Sequence, residues 1–141
     1  SRLKAEAYMG EIAPDEVLLT ADTVVVDGDR ILGKPRDEGD AHAMLRELSG
    51  HTHQVITGVT LASDKGMQTF SEVTEVEFAE LTDDEISYYV EKYRPLDKAG
   101  AYGIQGHGAL LIEGICGDYY SVMGLPVAPL GVMLRKLNAA R

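Results

Sequence analysis

Hydrophobic and polar residues succeed one another along the chain in segments that predict strands and helices. The apolar residues 17–19 are followed by Thr20-Ala21-Asp22-Thr23, after which three valines continue the apolar pattern to residue 26. Asp27-Gly28 then lies between apolar segments, which is typical of a tight hairpin turn, and Ile31-Leu32 supply the returning strand. We therefore predict an early β-hairpin whose first strand carries a carboxylate within an apolar stretch.

Helical spacing and capping residues predict helices between the strands. A charged, Ala-rich stretch closes a helix before Gly10. Asp37 is a suitable cap for a second helix that Gly50 ends, and Thr82-Asp83-Asp84-Glu85 has the capping-box pattern of a third. Pro126 favours the first turn of a last helix that runs to about residue 138. The apolar residues at helical spacing are Ala41, Met44, Leu45 and Leu48 in the second helix, and Ile86, Tyr89, Val90 and Tyr93 in the third.

Two long strands and a later short one complete the pattern. Residues 53–62 form the first, the turn 63–66 follows, and the second ends near Leu81. A buried strand is expected at 109–116, with Cys116 in the core. Together these elements predict a single α/β domain over residues 1–141, built on a mixed sheet that contains the hairpin. The residues expected to be buried in the long strands are Val55, Thr57, Val59 and Leu61, and then Val73, Val76 and Phe78.

Composition and charge narrow the functional classes. A chain of 141 residues with 45% hydrophobic residues is long enough to bury a core. Its net charge of -10 argues against binding of a nucleic-acid polymer, because the phosphate backbone would be repelled. No apolar run is long enough to cross a bilayer, and the single cysteine forms no internal disulfide. We therefore expect a cytoplasmic protein without a membrane partner, whose clefts could still bind a small phosphorylated molecule.

Asp22 and Lys34 are the first candidates for chemistry. An ionised carboxylate within an apolar strand is costly unless it is paired or binds a metal, so Asp22 is either functional or held by backbone N–H groups. Lys34 directly follows the hairpin, which places it near the start of the strand of Asp22. There it could offset the carboxylate or bind a phosphate, or it is a solvated lysine at a strand end.

The glycine-rich segment 97–106 is the other candidate. It has the charged residues Asp97 and Lys98, several glycines and the amide of Gln105, but neither the Walker nor the dinucleotide-binding spacing. It is either a ligand loop or an ordinary glycine-rich turn. His51 and His53 lie on one face of a strand without a third ligand at zinc spacing, so we do not assign them to a metal.

Several blocks of sequence, in the same order, resemble the Maf family. They are Leu19-Thr20-Ala21-Asp22-Thr23-Val24-Val25, Gly33-Lys34-Pro35-Arg36-Asp37, Leu48-Ser49-Gly50-His51-Thr52-His53-Gln54-Val55, Asp97-Lys98-Ala99-Gly100-Ala101-Tyr102-Gly103-Ile104-Gln105-Gly106 and Tyr119-Tyr120-Ser121-Val122-Met123-Gly124-Leu125-Pro126. The resemblance implies an α/β fold with two lobes around a nucleotide cleft, similar to the inosine-triphosphate pyrophosphatases. It also implies cleavage of nucleoside triphosphates to the monophosphate and pyrophosphate.

By this resemblance each candidate residue has an expected role. Asp22 accepts a proton from the attacking water and helps to hold a divalent metal cation, Mg or Mn. Lys34 and Lys98 neutralise phosphate charge. Thr23 and Gln105 look like those of the branch that uses dTTP and UTP, since a glutamine amide can accept from N3–H of the base while it donates to O4. The branch that uses 7-methylguanosine triphosphate has different residues there.

The resemblance also leaves alternatives. Family members begin with a strand and a Ser/Arg-rich phosphate-binding loop, so we expect residues 1–141 to be N-terminally incomplete. One alternative function is a non-enzymatic regulator of septum formation, and another is nucleotide binding without turnover. The expected partners are a nucleoside triphosphate substrate and a second copy in a homodimer, although no feature of the sequence indicates the oligomeric state.

Overall fold

A computed structural model describes residues 1–8, 10 and 12–139, and the helices and strands alternate much as the hydrophobic pattern predicts. Short 3-10 helices lie at Ala99–Ala101 and Gly106–Leu111. The α-helices are α1 (Arg2–Tyr8), α2 (Glu38–Leu48), α3 (Asp83–Tyr93), α4 (Tyr119–Met123) and α5 (Val127–Ala139), and the strands are β1 (Leu18–Asp27), β2 (Arg30–Leu32), β3 (Thr52–Ser63), β4 (Gly66–Phe78) and β5 (Ile112–Cys116).

One sheet of five strands, in the order β2-β1-β3-β4-β5, forms the centre of the fold. The predicted hairpin is present, with Asp27 paired to Arg30 across Gly28 and Asp29. The α/β class is therefore confirmed. Every strand pairing within the described residues is antiparallel, so the mixed sheet that we expected is not seen in this part of the chain.

Two helices cover one end of the inner sheet face and begin at the predicted caps. The Asp37 carboxylate accepts from the N–H of Asp40 at 2.7 Å, which starts α2. Thr82 and Glu85 form the reciprocal capping box of α3, as predicted. Both helices pack apolar residues against β1, β3 and β4. The fully buried members of this larger cluster include Leu45, Leu48, Val55, Val76, Phe78 and Ile86.

A smaller apolar cluster lies at the other end of the same sheet face. Val59 and Leu61 of β3 pack there against Leu130 of α5. The predicted inner face of β3 is confirmed, because Val55, Thr57, Val59 and Leu61 are all buried. Thr57 lies between the two clusters, so the middle of this face carries hydroxyl groups instead of an apolar layer.

Two burial predictions are wrong. Val73 is 50% exposed, because it has the opposite parity to Val76 and Phe78 and strand residues alternate between the two faces. Cys116 is exposed, because β5 is a short edge strand that begins at Ile112 and not at residue 109.

Among the residues that the structure describes, no helix is both long enough and apolar enough to span a bilayer.

The large apolar cluster generates a stability prediction. Leu45 is fully buried between α2 and the sheet, so Leu45→Ala leaves a cavity and should lower the free energy of unfolding by about 2–5 kcal/mol. Leu110→Ala is the matched control, because that side chain is 79% exposed and should change stability by less than about 0.5 kcal/mol. Urea denaturation measures both, and equal losses would contradict this account of the core.

Candidate functional site

A cavity of about 360 Å³ lies beside the hydroxyl-bearing middle of the sheet. Its walls come from the inner faces of β1 and β3, from the segment 97–105 and from the end of α4. Of the candidate residues, Thr23, Lys34, Lys98 and Gln105 all line it, whereas Asp22 does not. Segments that are far apart in the sequence are thus brought together at one place.

The hairpin positions Thr23 and Lys34 next to each other. Leu32 pairs with Val25 across β1 and β2, so Lys34, two residues further on, reaches the level of Thr23. Lys34 therefore lies beside the middle of β1 and not near its start, where the sequence had placed it. Its side chain is exposed and borders the cavity.

Glycines let the segment 97–105 approach the sheet closely. Gly100 has φ +74°, and its N–H donates to the carbonyl of Gly33 at 3.1 Å, which ties this segment to the chain just before Lys34. A Cβ at Gly100 would lie 3.1 Å from Cγ1 of Val25. The Lys98 side chain packs over Gly103, where an added Cβ would come within 3.1 Å of its Cε. The ligand-loop interpretation of this segment therefore fits its position, and part of it forms the first 3-10 helix.

Gln105 bridges the two walls of the cavity. Its Nε2 donates to the thioether sulfur of Met123 at 3.7 Å, and the carboxamide is exposed. The preceding backbone is held by α3, because Gly103 N–H donates to the hydroxyl of Tyr89 at 3.2 Å. The amide group that the sequence singled out therefore lies at the cavity with a weak acceptor as its partner.

Threonine side chains hold α4 against the sheet, and no motif in the sequence predicts these contacts. Thr57 Oγ1 lies 2.9 Å from Thr23 Oγ1 and donates to the carbonyl of Ser121 at 2.6 Å. Thr74 accepts from the N–H of Asp118 at 3.0 Å and donates to its carbonyl at 3.2 Å. Only the fold reveals these contacts, because they join residues 34, 64 and 44 positions apart in the chain.

Asp22 lies on the other face of β1. Its side chain is 56% exposed, and Oδ1 is 3.2 Å from Nζ of Lys4 on α1. Adjacent strand residues point to opposite faces, which separates Asp22 from Thr23 although the two are neighbours in sequence. Within the described residues no three His, Cys, Asp or Glu side chains converge as metal ligands.

His53 lies beneath the cavity, in contact with one of its walls. Its Nε2 is 2.6 Å from the hydroxyl of Tyr102, which lines the cavity, and Phe78 packs edge-on against its ring. Nδ1 is buried without a partner among the described residues. Burial lowers the pKa of His53 to about 4, against a smaller raising effect of Asp27.

Comparison with known proteins gives one family and relatives that share one name. The model of a family described as Maf-like protein matches residues 1–137. A dTTP/UTP pyrophosphatase of Phocaeicola vulgatus is 53% identical over 135 residues, which are 95% of this chain and 70% of that protein. Proteins of the same name from Bacteroides fragilis and Bacillus cytotoxicus are 50% and 49% identical, and each match covers 97% of this chain and 72% of the relative.

The burial of His53 predicts a pH-dependent stability. In the folded protein the imidazole stays neutral down to about pH 4, whereas in the unfolded chain it takes up a proton near pH 6.5. The unfolded state therefore binds more protons between these values, and the free energy of unfolding should fall as the pH drops from about 6.5 to about 4.

Urea denaturation at several pH values measures this slope. His53→Gln should reduce it, whereas His51→Gln, at an exposed histidine, is the control for the loss of an imidazole. An unchanged slope in His53→Gln would show that the pH dependence comes from other groups.

Proposed function

Because the chain belongs to the Maf family, we propose that it is a nucleoside triphosphate pyrophosphatase that hydrolyses dTTP and UTP to the monophosphate and pyrophosphate. The observation that carries the proposal is the convergence of Thr23, Lys34, Lys98 and Gln105 around one cavity. This set combines hydrogen-bonding groups for a base with cations for phosphates. The names of the most similar relatives support the choice of substrate.

The base and sugar would occupy the cavity itself. Its volume of about 360 Å³ is within the range of small-molecule sites. Val25 and Val55 offer apolar surface on one wall, while Thr23 and Gln105 offer a hydroxyl and a carboxamide to the edge of the base. Polar groups of this kind select a base, because a ligand that leaves them unpaired loses affinity.

The two lysines would bind the triphosphate. The chain carries a net charge of -10, which opposes the approach of a polyanion, so local cations are needed at the site. Lys34 and Lys98 approach the cavity from different segments and could contact successive phosphates. Because the charge on the phosphates increases as the bond between Pα and the bridging oxygen breaks, both lysines would also stabilise the transition state.

Asp22 would act at the edge of β1. Within the described residues, β2 pairs with β1 only at Val25, Val26 and Asp27, so the preceding part of β1 has a strand partner on one side only. A triphosphate that leaves the cavity past Lys34 would cross this edge and reach the face of Asp22. There the carboxylate would take a proton from the water that attacks Pα, and pyrophosphate would leave.

The proposal includes a divalent cation, Mg or Mn, for which the described side chains offer one ligand, Asp22. A site made wholly of protein ligands does not fit, because no three carboxylate, histidine or cysteine side chains converge in the described part of the chain. Asp22 alone fits a cation that takes its other ligands from phosphates and water, as Mg²⁺ commonly does. When bound, such a cation would neutralise phosphate charge.

Nucleotide binding without turnover is the second candidate for this chain. It is favoured by the position of Asp22, which lies off the cavity and is paired with Lys4 at 3.2 Å. In that case the cavity residues would still bind dTTP and UTP, but no carboxylate would reach the attacking water.

Pyrophosphate release from UTP, dTTP, CTP, GTP and ATP in the presence of Mg²⁺ or Mn²⁺ tests the proposal. We expect release to be fastest from UTP and dTTP. Binding of these nucleotides without release would favour the second candidate. Absence of both binding and release, or a preference for purine nucleotides, would contradict the proposed function.

Asp22→Asn generates the sharpest prediction on catalysis. The substitution keeps the shape of the side chain but removes the proton acceptor, so kcat for UTP should fall by about 10² or more. The dissociation constant for UTP measured without a divalent cation should change much less, because Asp22 does not line the cavity. Asp29→Asn, in the exposed hairpin turn, is the matched control and should retain activity. Near-normal turnover of Asp22→Asn would show that the catalytic assignment is wrong.

A further inference from the structure

A directional chain of hydrogen bonds runs from Thr23 at the cavity, through Thr57 on the inner sheet face, to α4. Thr57 is fully buried, and its hydroxyl contacts the carbonyl oxygen of Ser121 at 2.6 Å. A carbonyl oxygen only accepts, so the single hydroxyl proton of Thr57 must lie in this bond. The Ser121 carbonyl also accepts from the N–H of Gly124 at 3.1 Å, which fixes it in place.

The direction of that bond decides the direction of the next. Thr23 Oγ1 lies 2.9 Å from Thr57 Oγ1, and Thr57 has no second proton to offer. Thr23 must therefore donate to Thr57, and it has only lone pairs left for the cavity that it lines. Donation along the chain also polarises the oxygen of Thr23 and makes it a better acceptor.

We propose that Thr57 is a positioning residue that fixes Thr23 as a hydrogen-bond acceptor for N3–H of the base, and so selects uracil and thymine over cytosine. This inference rests on the proposed function. When N1 is joined to the sugar, uracil and thymine each carry one N–H donor, at N3. Cytosine has a bare nitrogen at that position, whose lone pair would face the lone pairs of Thr23.

Gln105 cannot make this distinction alone. Its carboxamide is exposed, and its nitrogen donates to the thioether of Met123 at 3.7 Å, which is a weak restraint. Rotation of the amide would present a donor to O4 of uracil or an acceptor to the amino group of cytosine with equal ease. A fixed acceptor at Thr23 removes this ambiguity and leaves Gln105 to donate to O4.

The test compares dissociation constants of the non-hydrolysable α,β-imido analogues of UTP and CTP, measured by calorimetry with Mg²⁺. The variants are Thr57→Val, Thr57→Ser, Thr23→Val and Thr74→Val. Valine at 57 keeps the shape but removes the partner of Thr23, which is then free to rotate and donate. Thr74→Val is the matched control, because Thr74 also holds the α4 region, through Asp118, and its hydrogen bonds do not involve Thr23.

We expect the preference for the UTP analogue to fall on the order of tenfold in Thr57→Val and in Thr23→Val. It should persist in Thr57→Ser and Thr74→Val. If Thr57→Val fails to fold, as judged by thermal melting, Thr23→Val still has to lose the preference.

Other results would overturn the inference. An unchanged ratio in folded Thr57→Val or in Thr23→Val would do so, and so would an equal fall in Thr74→Val, which would indicate a structural effect only. Equal weakening of both analogues would point to a ribose hydroxyl as the donor to Thr23. If any of these results were obtained while the wild-type protein still released pyrophosphate from UTP, only the role of Thr57 would be wrong and the proposed function would stand. If the wild-type protein bound neither analogue, the role of Thr57 and the proposed function would both be wrong.

Discussion

The bond from the Thr57 hydroxyl to the Ser121 carbonyl is the contact on which the candidate site depends. A hydroxyl buried on the inner face of a sheet is costly unless it is hydrogen-bonded, and α4 supplies the partner. The same contact interrupts the apolar layer between the two hydrophobic clusters. The cavity lies beside this interruption. The hydrogen bond that satisfies Thr57 therefore also leaves the hydroxyl oxygen of Thr23 free to accept from a ligand.

Strand geometry imposes the second constraint. Thr23 and Asp22 are adjacent in β1, and the alternation of side chains places them on opposite faces of the sheet. A site that uses both residues must therefore extend around the edge of the strand, and Lys34 lies at that edge because the hairpin returns the chain there. The net charge of -10 opposes the approach of a polyanion, which a local cation such as Lys34 would offset.

Patterns of neighbouring residues predicted most of the helices, strands and turns, but they did not predict the contacts between distant segments. The turn at Gly28 and the caps at Asp37 and Thr82 depend on neighbouring residues, and the structure confirms all three. The burial of Val73 was predicted wrongly because it was grouped with Val76 and Phe78, which have the opposite parity in the same strand. The burial of Cys116 was predicted wrongly because it depends on the position of β5 at the sheet edge, which only the fold determines.

The same distinction applies to the candidate site, whose residues were partly predicted and whose contacts were not. The motifs indicated Thr23, Lys34, Lys98 and Gln105, which meet at the cavity, but no motif indicated that Thr57 joins Thr23 to α4 or that Lys4 pairs with Asp22. The most direct measurement is a crystal structure of the protein with the α,β-imido analogue of UTP. We predict the uracil beside Thr23 and Gln105 and the phosphates beside Lys34 and Lys98. A base bound outside this cavity, or on the sheet face of Asp22, would contradict the account.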